Sequence, residues 1–179
     1  RYGFMVIWVL GISMIVLAGL IYLPRKVILV FSCVLIFGHH LLDNIHFEDN
    51  ILWTFLHERG PILTTANHKF GVAYALIPWI AVMSLGYCFG SLYDATFGAK
   101  KRKKILNSIG IGSLVLFFIL IAINKYGDPV QWTNYGYNAK TLMSIFNVYK
   151  YPPSLLYLLI TLGGSLLFLA NSEKLKGKV

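Results

Sequence analysis

Residues 27–45 read VILVFSCVLIFGHHLLDNI, and this stretch decides the fold. Apart from one serine and one cysteine, its first eleven residues are all strongly apolar. A helix needs about 20 residues to cross the hydrocarbon layer of a bilayer. The stretch does not alternate polar and apolar residues, as a strand of a membrane barrel would. It therefore predicts a membrane-spanning helix that carries histidine and aspartate at its end.

The whole chain shares this apolar character. Of its 179 residues, 57% are hydrophobic and only 13% are charged, and its mean hydropathy is +0.67. Soluble domains carry about 25% charged residues, so the composition excludes a soluble globule. The net charge of +9 does not indicate a nucleic-acid partner, because nucleic-acid-binding proteins carry their basic residues on a polar surface that this chain lacks.

Five apolar runs are long enough to span a lipid bilayer. They cover residues 2–23, 27–45, 70–93, 105–124 and 152–171. In lipid the backbone polar groups must be satisfied within each segment, so all five runs are predicted to be helices. We expect an all-α, polytopic transmembrane helix bundle with about five spanning helices, forming a single domain over residues 1–179.

The basic residues predict the orientation of the chain. Arg25 and Lys26, the run at 100–104 and the lysines of the tail all fall on one side of the five predicted spans. The positive-inside rule assigns this side to the cytoplasm, which places the N-terminus outside and the C-terminus inside. Because the chain starts at Arg1 without a signal peptide, we expect the C-terminal part of a longer protein whose N-terminal spans are missing here.

The polar end of the second span is the main candidate for a functional site. His39, Asp43 and His46 are spaced i, i+4 and i+7, so they share one face of a continuous helix. His40 and Asn44 form a second pair beside them. At 1.5 Å per residue, His39 lies about 9 Å below the membrane surface, a depth at which ionisable residues are costly and usually functional. We interpret His39 and Asp43 as a catalytic pair in which the carboxylate fixes the imidazole tautomer; an interhelical hydrogen-bond cluster is the structural alternative.

The same residues are poor candidates for a metal or haem site. A tetrahedral metal site needs a fourth ligand, and a bis-histidine haem needs a histidine on a facing span. The other four predicted spans contain no histidine. Cys33 and Cys88 lie far apart inside apolar runs, without the spacing of a zinc site. We expect neither metal nor haem.

Two aromatic residues are candidates for the substrate side. Pro78 in the third span predicts a kink that exposes the carbonyl oxygen of Tyr74 about 12 Å below the outer face, beside the Trp79 indole. Tyr151 precedes the proline pair that begins the fifth span. The N–H groups at that helix start would attract an anion or a carbonyl oxygen, although most helices of this kind bind nothing.

The run KKRKK at residues 100–104 is a candidate for anion binding. Lys100, Lys101 and Arg102 would contact the diphosphate of coenzyme A or anionic lipid head groups. The positive-inside rule explains the same charges without any ligand. The sequence contains no GxGxxG, GxxxxGK[ST], HExxH or GxSxG, so nucleotide-driven transport and hydrolase chemistry of those types lose support.

Several motifs resemble one protein family. SMI at 13–15, GHHLLD at 38–43, IPWIAVM at 77–83, GYCFG at 86–90 and KYPPSLL at 150–156 resemble the bacterial multi-pass proteins related to heparan-alpha-glucosaminide N-acetyltransferase. The resemblance runs through essentially the whole chain. The second motif usually reads GHNLLD in these relatives, so His39 and Asp43 match it, whereas His40 replaces an asparagine.

The resemblance implies an acyltransferase of the bacterial inner membrane. It would take an acetyl group from cytosolic acetyl-CoA, its co-substrate, and deliver it to an amino sugar or glycan on the periplasmic side. The usual catalytic histidine of the family lies in an earlier span, so no established catalytic residue carries over to this chain. Our own candidates are catalytic His39 and Asp43, substrate-binding His40, Asn44, Trp79 and Tyr151, and cofactor-binding Lys100, Lys101 and Arg102.

Two other functions use the same polar residues differently. A transporter or flippase of a polar solute would use them as a proton relay. An accessory subunit of a membrane complex, or a homo-oligomer, would bury them against a partner chain. Both alternatives share the lipid bilayer as an obligatory partner.

Overall fold

The computed structural model describes residues 2–47, 50–64 and 69–172. Its helices are α1 (Val6–Leu20), α2 (Arg25–Gly38), α3 (Ile51–Leu56), α4 (Leu76–Gly90), α5 (Ala99–Ile123), α6 (Asn138–Phe146) and α7 (Leu155–Ser172), and its strands are β1 (Tyr2–Phe4), β2 (Gly60–Thr64) and β3 (Lys69–Val72). Short 3-10 helices follow α2 and α4, at His39–Leu42 and Ser91–Tyr93. The chain forms two compact units, one of Arg1–Phe89 with Lys150–Pro153 and one of Gly90–Tyr149 with Ser154–Val179.

The prediction of a helical, polytopic membrane protein is confirmed. In the described part of the chain, four helical segments are long and apolar enough to cross a bilayer: Arg25–Leu42, Leu76–Tyr93, Ala99–Ile123 and Leu155–Ser172. The first predicted span contains α1, an apolar helix of 15 residues. Large apolar side chains of α1 such as Ile7 and Ile15 are exposed, which is the pattern expected of a surface that lipid covers.

Small and β-branched side chains fill the interior of the first unit. Val9 of α1, Ile28 of α2 and Ala81 of α4 are fully buried. Ser32 and Ser84 are buried among them, and the Ser32 hydroxyl donates to the Ile28 carbonyl oxygen one turn earlier, at 2.8 Å. A serine bonded to its own helix needs no partner on another helix. Small interior residues of this kind are typical of membrane helices that pack closely.

Close contact between α5 and α7 holds the second unit together. A Cβ atom on Gly110 of α5 would lie 3.0 Å from the carbonyl oxygen of Gly163 of α7, and one on Gly163 would lie 3.2 Å from the carbonyl oxygen of Gly110. Two helix backbones approach this closely only where small residues face each other.

The chain itself closes the start of α7. The Leu156 N–H donates to the carbonyl oxygen of Gly127 at 2.9 Å, and the Tyr157 N–H donates to the Ser154 hydroxyl at 3.0 Å. Gly127 has a φ of +98°, a conformation that glycine adopts without strain. Both N–H groups therefore already have acceptors within the chain. They are not available to the anion or carbonyl group that the sequence suggested for this helix start.

A three-stranded sheet stands where two predicted spans begin, so the predicted starts of those helices are wrong. β1 pairs in parallel with β3, and β2 pairs antiparallel with β3, in the order β1-β3-β2. Gly3 stands opposite Gly71, and a Cβ on Gly3 would lie 2.6 Å from the Gly71 carbonyl oxygen. Phe4 packs edge-on against Phe55 and Phe70. The length of an apolar run does not distinguish such a strand from the helix that follows it.

The helix that carries the polar motif is shorter than predicted. α2 ends at Gly38, and the chain continues as a 3-10 helix over His39–Leu42. Its bonds reach three residues back, as from the Asp43 N–H to the His40 carbonyl oxygen at 3.2 Å. Glycine is a poor helix former, and a 3-10 helix has three residues per turn in place of 3.6. The expected continuous helix is therefore wrong, and residues spaced i, i+4 and i+7 here do not share a face.

Pro78 does not kink α4, contrary to the prediction. The helix begins at Leu76, so Pro78 is its third residue. The first N–H groups of a helix have no acceptor within it, so a proline there removes no hydrogen bond. Tyr74 lies before the helix. Its carbonyl oxygen is therefore not a helical hydrogen-bond acceptor that Pro78 could leave without a partner.

Candidate functional site

The carboxylate of Asp43 binds two histidines beyond the end of α2. His40 Nδ1 donates to Oδ2 at 2.5 Å, and His57 Nε2 donates to Oδ1 at 3.0 Å. The side chains of His40 and His57 are 6% and 3% exposed, whereas that of Asp43 is 25% exposed. We call His39, His40, Asp43 and His57 the Asp43 cluster. Buried ionisable groups gathered at a membrane helix usually serve a function.

Hydrogen bonding determines the charge of the Asp43 carboxylate and the tautomers of the two histidines bonded to it. An ionised carboxylate only accepts, so the facing nitrogens of His40 and His57 both carry hydrogen. Asp43 lies just beyond the membrane-spanning segment, which ends at Leu42. Burial raises the pKa of Asp43, but the hydrogen bonds from His40 and His57 outweigh burial and hold that pKa well below its usual range. The Asp43 carboxylate therefore carries its negative charge at neutral pH.

His39 does not pair with Asp43, so the expected orientation of its imidazole by that carboxylate is wrong. Its Nδ1 donates to the carbonyl oxygens of Leu35 and Ile36 at 3.1 and 3.0 Å, and its ring centroid lies 4.1 Å from that of His40. The helix ends before Asp43 reaches the face that His39 occupies. His39 is 1% exposed, and its Nε2 has no hydrogen-bond partner in the described residues.

The structure adds His57, which was not among the predicted site residues. The Asn50 side chain caps α3 by accepting from the Trp53 N–H at 3.1 Å, and the His57 N–H donates to the Trp53 carbonyl oxygen at 2.9 Å. The Trp53 indole packs 5.3 Å from the imidazole, and its Nε1 donates to the Ile45 carbonyl oxygen. An asparagine followed by apolar residues is a helix-start signal that predicts α3. It does not predict contact with Asp43.

His46 and Asn44 lie outside the Asp43 cluster. His46 is 70% exposed, and its Nδ1 donates to Oε1 of Glu58 at 2.8 Å. The same Glu58 oxygen accepts from the Trp53 indole at 3.0 Å. Asn44 follows Asp43 directly and is exposed, so its role in substrate binding stays a prediction.

The cluster suits proton transfer better than metal binding. Within residues 2–47, 50–64 and 69–172, no group of three or more His, Cys, Asp or Glu residues is arranged to hold a metal ion. The nitrogens that face Asp43 already carry hydrogen, whereas a metal ligand needs a free lone pair. A carboxylate beside an imidazole is the arrangement that general acid–base chemistry uses.

Tyr74, Trp79 and Tyr151 form a second group in the first unit. The ring centroids of Tyr151 and Trp79 lie 5.0 and 5.9 Å from that of Tyr74. The cationic groups of Arg59 and Lys150 lie 5.8 and 5.2 Å from the centre of the Tyr151 ring. The hydrogen bond with Tyr74, followed by that with Lys150, lowers the pKa of Tyr151 below its usual value. Two predicted substrate-binding residues thus belong to one aromatic group that also carries positive charge.

The predicted cofactor-binding residues lie in the first turn of α5. The Arg102 guanidinium lies 4.7 Å from the centre of the Tyr93 ring, and the Lys101 ammonium lies 5.3 Å from that of Phe97. Lys100 and Lys101 are exposed, whereas Arg102 is half-buried. An anion can therefore reach the two lysines more easily than the arginine.

Comparison with known proteins identifies the family. Residues 2–122 match the family model described as heparan-alpha-glucosaminide N-acetyltransferase, catalytic. The chain belongs to this family. The resemblance predicted from its motifs is confirmed, and the chain is a member of a membrane acetyltransferase family. No curated protein and no solved structure matches the chain significantly.

The matched region contains the whole Asp43 cluster, including His57, and also Trp79 and the basic start of α5. Tyr151 lies beyond it. Family membership and the four apolar helices together identify this acetyltransferase-family member as an integral membrane protein.

Proposed function

We propose that this family member transfers an acetyl group from acetyl-CoA to the amino group of an amino sugar or glycan. The observation that carries the proposal is the Asp43 cluster, in which a carboxylate binds buried imidazoles beyond the end of a spanning helix, inside the region that matches the family. An amine loses a proton when it is acylated. An imidazole is the side chain that most readily accepts a proton near neutral pH, and a carboxylate stabilises the cation that forms.

The charges of α2 favour an acceptor on the face away from the cytoplasm. The helix begins with Arg25 and Lys26, and the Asp43 cluster follows its other end. The positive-inside rule places the basic end in the cytoplasm, so the cluster would lie toward the opposite side, the periplasm for a bacterial inner membrane. Acetyl-CoA is made in the cytoplasm, so its acetyl group has to cross the membrane.

Two further groups would hold the substrates. Lys100 and Lys101 are exposed cations at the start of α5, and they would bind the diphosphate of acetyl-CoA. Trp79 and Tyr151 would offer aromatic surface to the sugar ring. Asn44, exposed beside the cluster, would bind a sugar hydroxyl.

The test is acetyl transfer by the protein reconstituted in lipid vesicles, with labelled acetyl-CoA on one side and glucosamine or a glucosamine-terminated glycan on the other. We expect labelled N-acetyl sugar. Asp43→Asn should lower the rate at least about 10²-fold, because the acceptor imidazole loses its anion. His46→Ala is the matched control, since His46 is exposed and bound to Glu58, and it should leave the rate unchanged.

Failure of the wild-type protein to transfer an acetyl group would refute the proposed activity. Undiminished transfer by Asp43→Asn would refute the role of the Asp43 cluster in that activity. Movement of unmodified sugar across the membrane, without acetylation, would identify a transporter instead.

A further inference from the structure

One imidazole of the Asp43 cluster is prepared to receive a proton. His57 Nε2 donates to Oδ1 of Asp43, so the other ring nitrogen, Nδ1, carries the lone pair. The side chain is 3% exposed, and Nδ1 has no hydrogen-bond partner among the residues that the structure describes. A buried acceptor without a partner costs free energy. The position of this lone pair therefore points to a ligand group that donates a hydrogen bond to Nδ1.

His39 offers a second buried lone pair, at Nε2, but its other nitrogen faces neutral groups. Its Nδ1 donates to the carbonyl oxygens of Leu35 and Ile36. A proton added to His39 would create a cation stacked on the ring of His40, 4.1 Å away. A proton added to His57 would instead create a cation bonded directly to a carboxylate. An adjacent opposite charge favours the protonated form. Asp43 is bonded to His57, whereas the groups bonded to Nδ1 of His39 are neutral carbonyls, so the geometry favours His57 for this role.

We propose that Nδ1 of His57 takes the proton from the acceptor amine, while Asp43 orients the ring and stabilises its positive charge. This assignment rests on the proposed acetyl transfer. The amine nitrogen attacks the carbonyl carbon of the acetyl thioester, the new C–N bond forms, and the C–S bond breaks with its electron pair going to sulfur. One N–H proton passes to His57, which afterwards releases it to water, and the leaving thiolate takes up a proton. The products are the N-acetylated amine and the free thiol.

Among the titratable groups that surround His57 in the described residues, Asp43 is the one bonded to its ring. Asp43 is bonded to the ring, and the His39 ring lies 6.4 Å away. His40 is bonded to the other oxygen of the same carboxylate. Glu58, the next residue, accepts hydrogen bonds from two other side chains. Asp43 is therefore the group that would stabilise a positive charge on the His57 ring.

Paired glutamine variants test the assignment. His57→Gln keeps an N–H group for Asp43 but has no basic nitrogen, so transfer should fall about 10²- to 10⁴-fold at a melting temperature near that of the wild type. His39→Gln compares the other buried imidazole of the cluster, and it should lose less transfer than His57→Gln. His46→Gln, at an exposed histidine bound to Glu58, is the control. In His57→Ala, added imidazoles should restore transfer in the order of their basicity, which a purely structural role would not produce.

The outcomes separate this assignment from the proposed function. If the wild type transfers acetyl groups and His57→Gln keeps more than about a tenth of its rate, the assignment is wrong and acetyl transfer stands. A larger loss in His39→Gln than in His57→Gln, or rescue that ignores basicity, also overturns it. If the wild type transfers nothing, the proposed function fails first.

Discussion

Replacing Gly163 by alanine should destabilise the second unit, although alanine is the better helix former. A Cβ atom at this position would lie 2.9 Å from Cβ of Ser113 and 3.2 Å from the carbonyl oxygen of Gly110. Neither atom is the end of a flexible side chain, so α5 and α7 have to move apart. Overpacking of this kind costs about 1–3 kcal/mol, whereas removing a helical glycine gains about 0.5–1 kcal/mol. The expected net loss is up to about 2.5 kcal/mol.

Gly164 provides the matched control, because it is the next residue of the same helix. Among the described atoms, none lies within 4 Å of a Cβ atom built on Gly164, so Gly164→Ala should gain about 0.5–1 kcal/mol. In one detergent, the melting temperature of Gly163→Ala should lie below that of the wild type and that of Gly164→Ala above it, by roughly 2–4 °C per kcal/mol. Equal melting temperatures for the two variants would refute the inference that α5 and α7 depend on backbone contact at Gly163.

Three further predictions concern charged and titratable groups. Asp43→Asn should cost about 1–3 kcal/mol at neutral pH, because two histidine N–H groups lose their anion. The pKa of Asp43 is lowered in the folded state, so the stability that the carboxylate contributes is present above the unfolded value of about 4 and is lost as the pH falls through the folded pKa. The difference in melting temperature between the wild type and Asp43→Asn should therefore disappear in acid. A difference that stays constant with pH would show that the lost charge is not its cause. Tyr151 should ionise below the usual tyrosine value, because of its hydrogen bonds with a neighbouring tyrosine and then a lysine. The tyrosinate absorbance that Tyr151→Phe removes should therefore appear below that usual value, and its appearance at or above that value would contradict the cause. Replacing Lys100 and Lys101 together by glutamine should weaken acetyl-CoA binding several-fold, most strongly at low salt, whereas Lys140→Gln should not; equal binding constants would argue against a diphosphate site.

The sequence predicts the spanning helices where lipid alone decides the structure. Residues 105–124 and 152–171 are mainly apolar and contain no charged residue, so their backbone groups must bond within the segment, and α5 and α7 follow. The basic residues before 105 extend α5 back to Ala99, because lysine and arginine are good helix formers although hydropathy excludes them from a span. Gly3 and Gly71 lie in equally apolar runs, but their strand pairing is non-local, and no local pattern reports it.

The candidate site is only partly predictable for the same reason. Depth and charge select His39, His40 and Asp43 from the sequence, and the structure gathers all three in one cluster. The predicted partnership of His39 with Asp43 assumes helical spacing beyond Gly38, where the α-helix ends. The contact between Asp43 and His57 spans 14 residues and depends on α3, so rules for spacing within one helix cannot find it.

The end of α2 explains why we assign the proton transfer to His57 and not to His39, the candidate that the sequence suggested. Nδ1 of His39 bonds two carbonyl groups of the last turn of α2, that of Ile36 and that of Leu35, which also accepts from the His39 N–H. Rotating the imidazole toward a substrate would break both bonds, so His39 is tied to ending the helix. The 3-10 turn that follows carries the Asp43 carboxylate to His57 instead. The helix break that prevents the pairing expected from i, i+4 spacing therefore creates a carboxylate–imidazole pair that a continuous helix would not form.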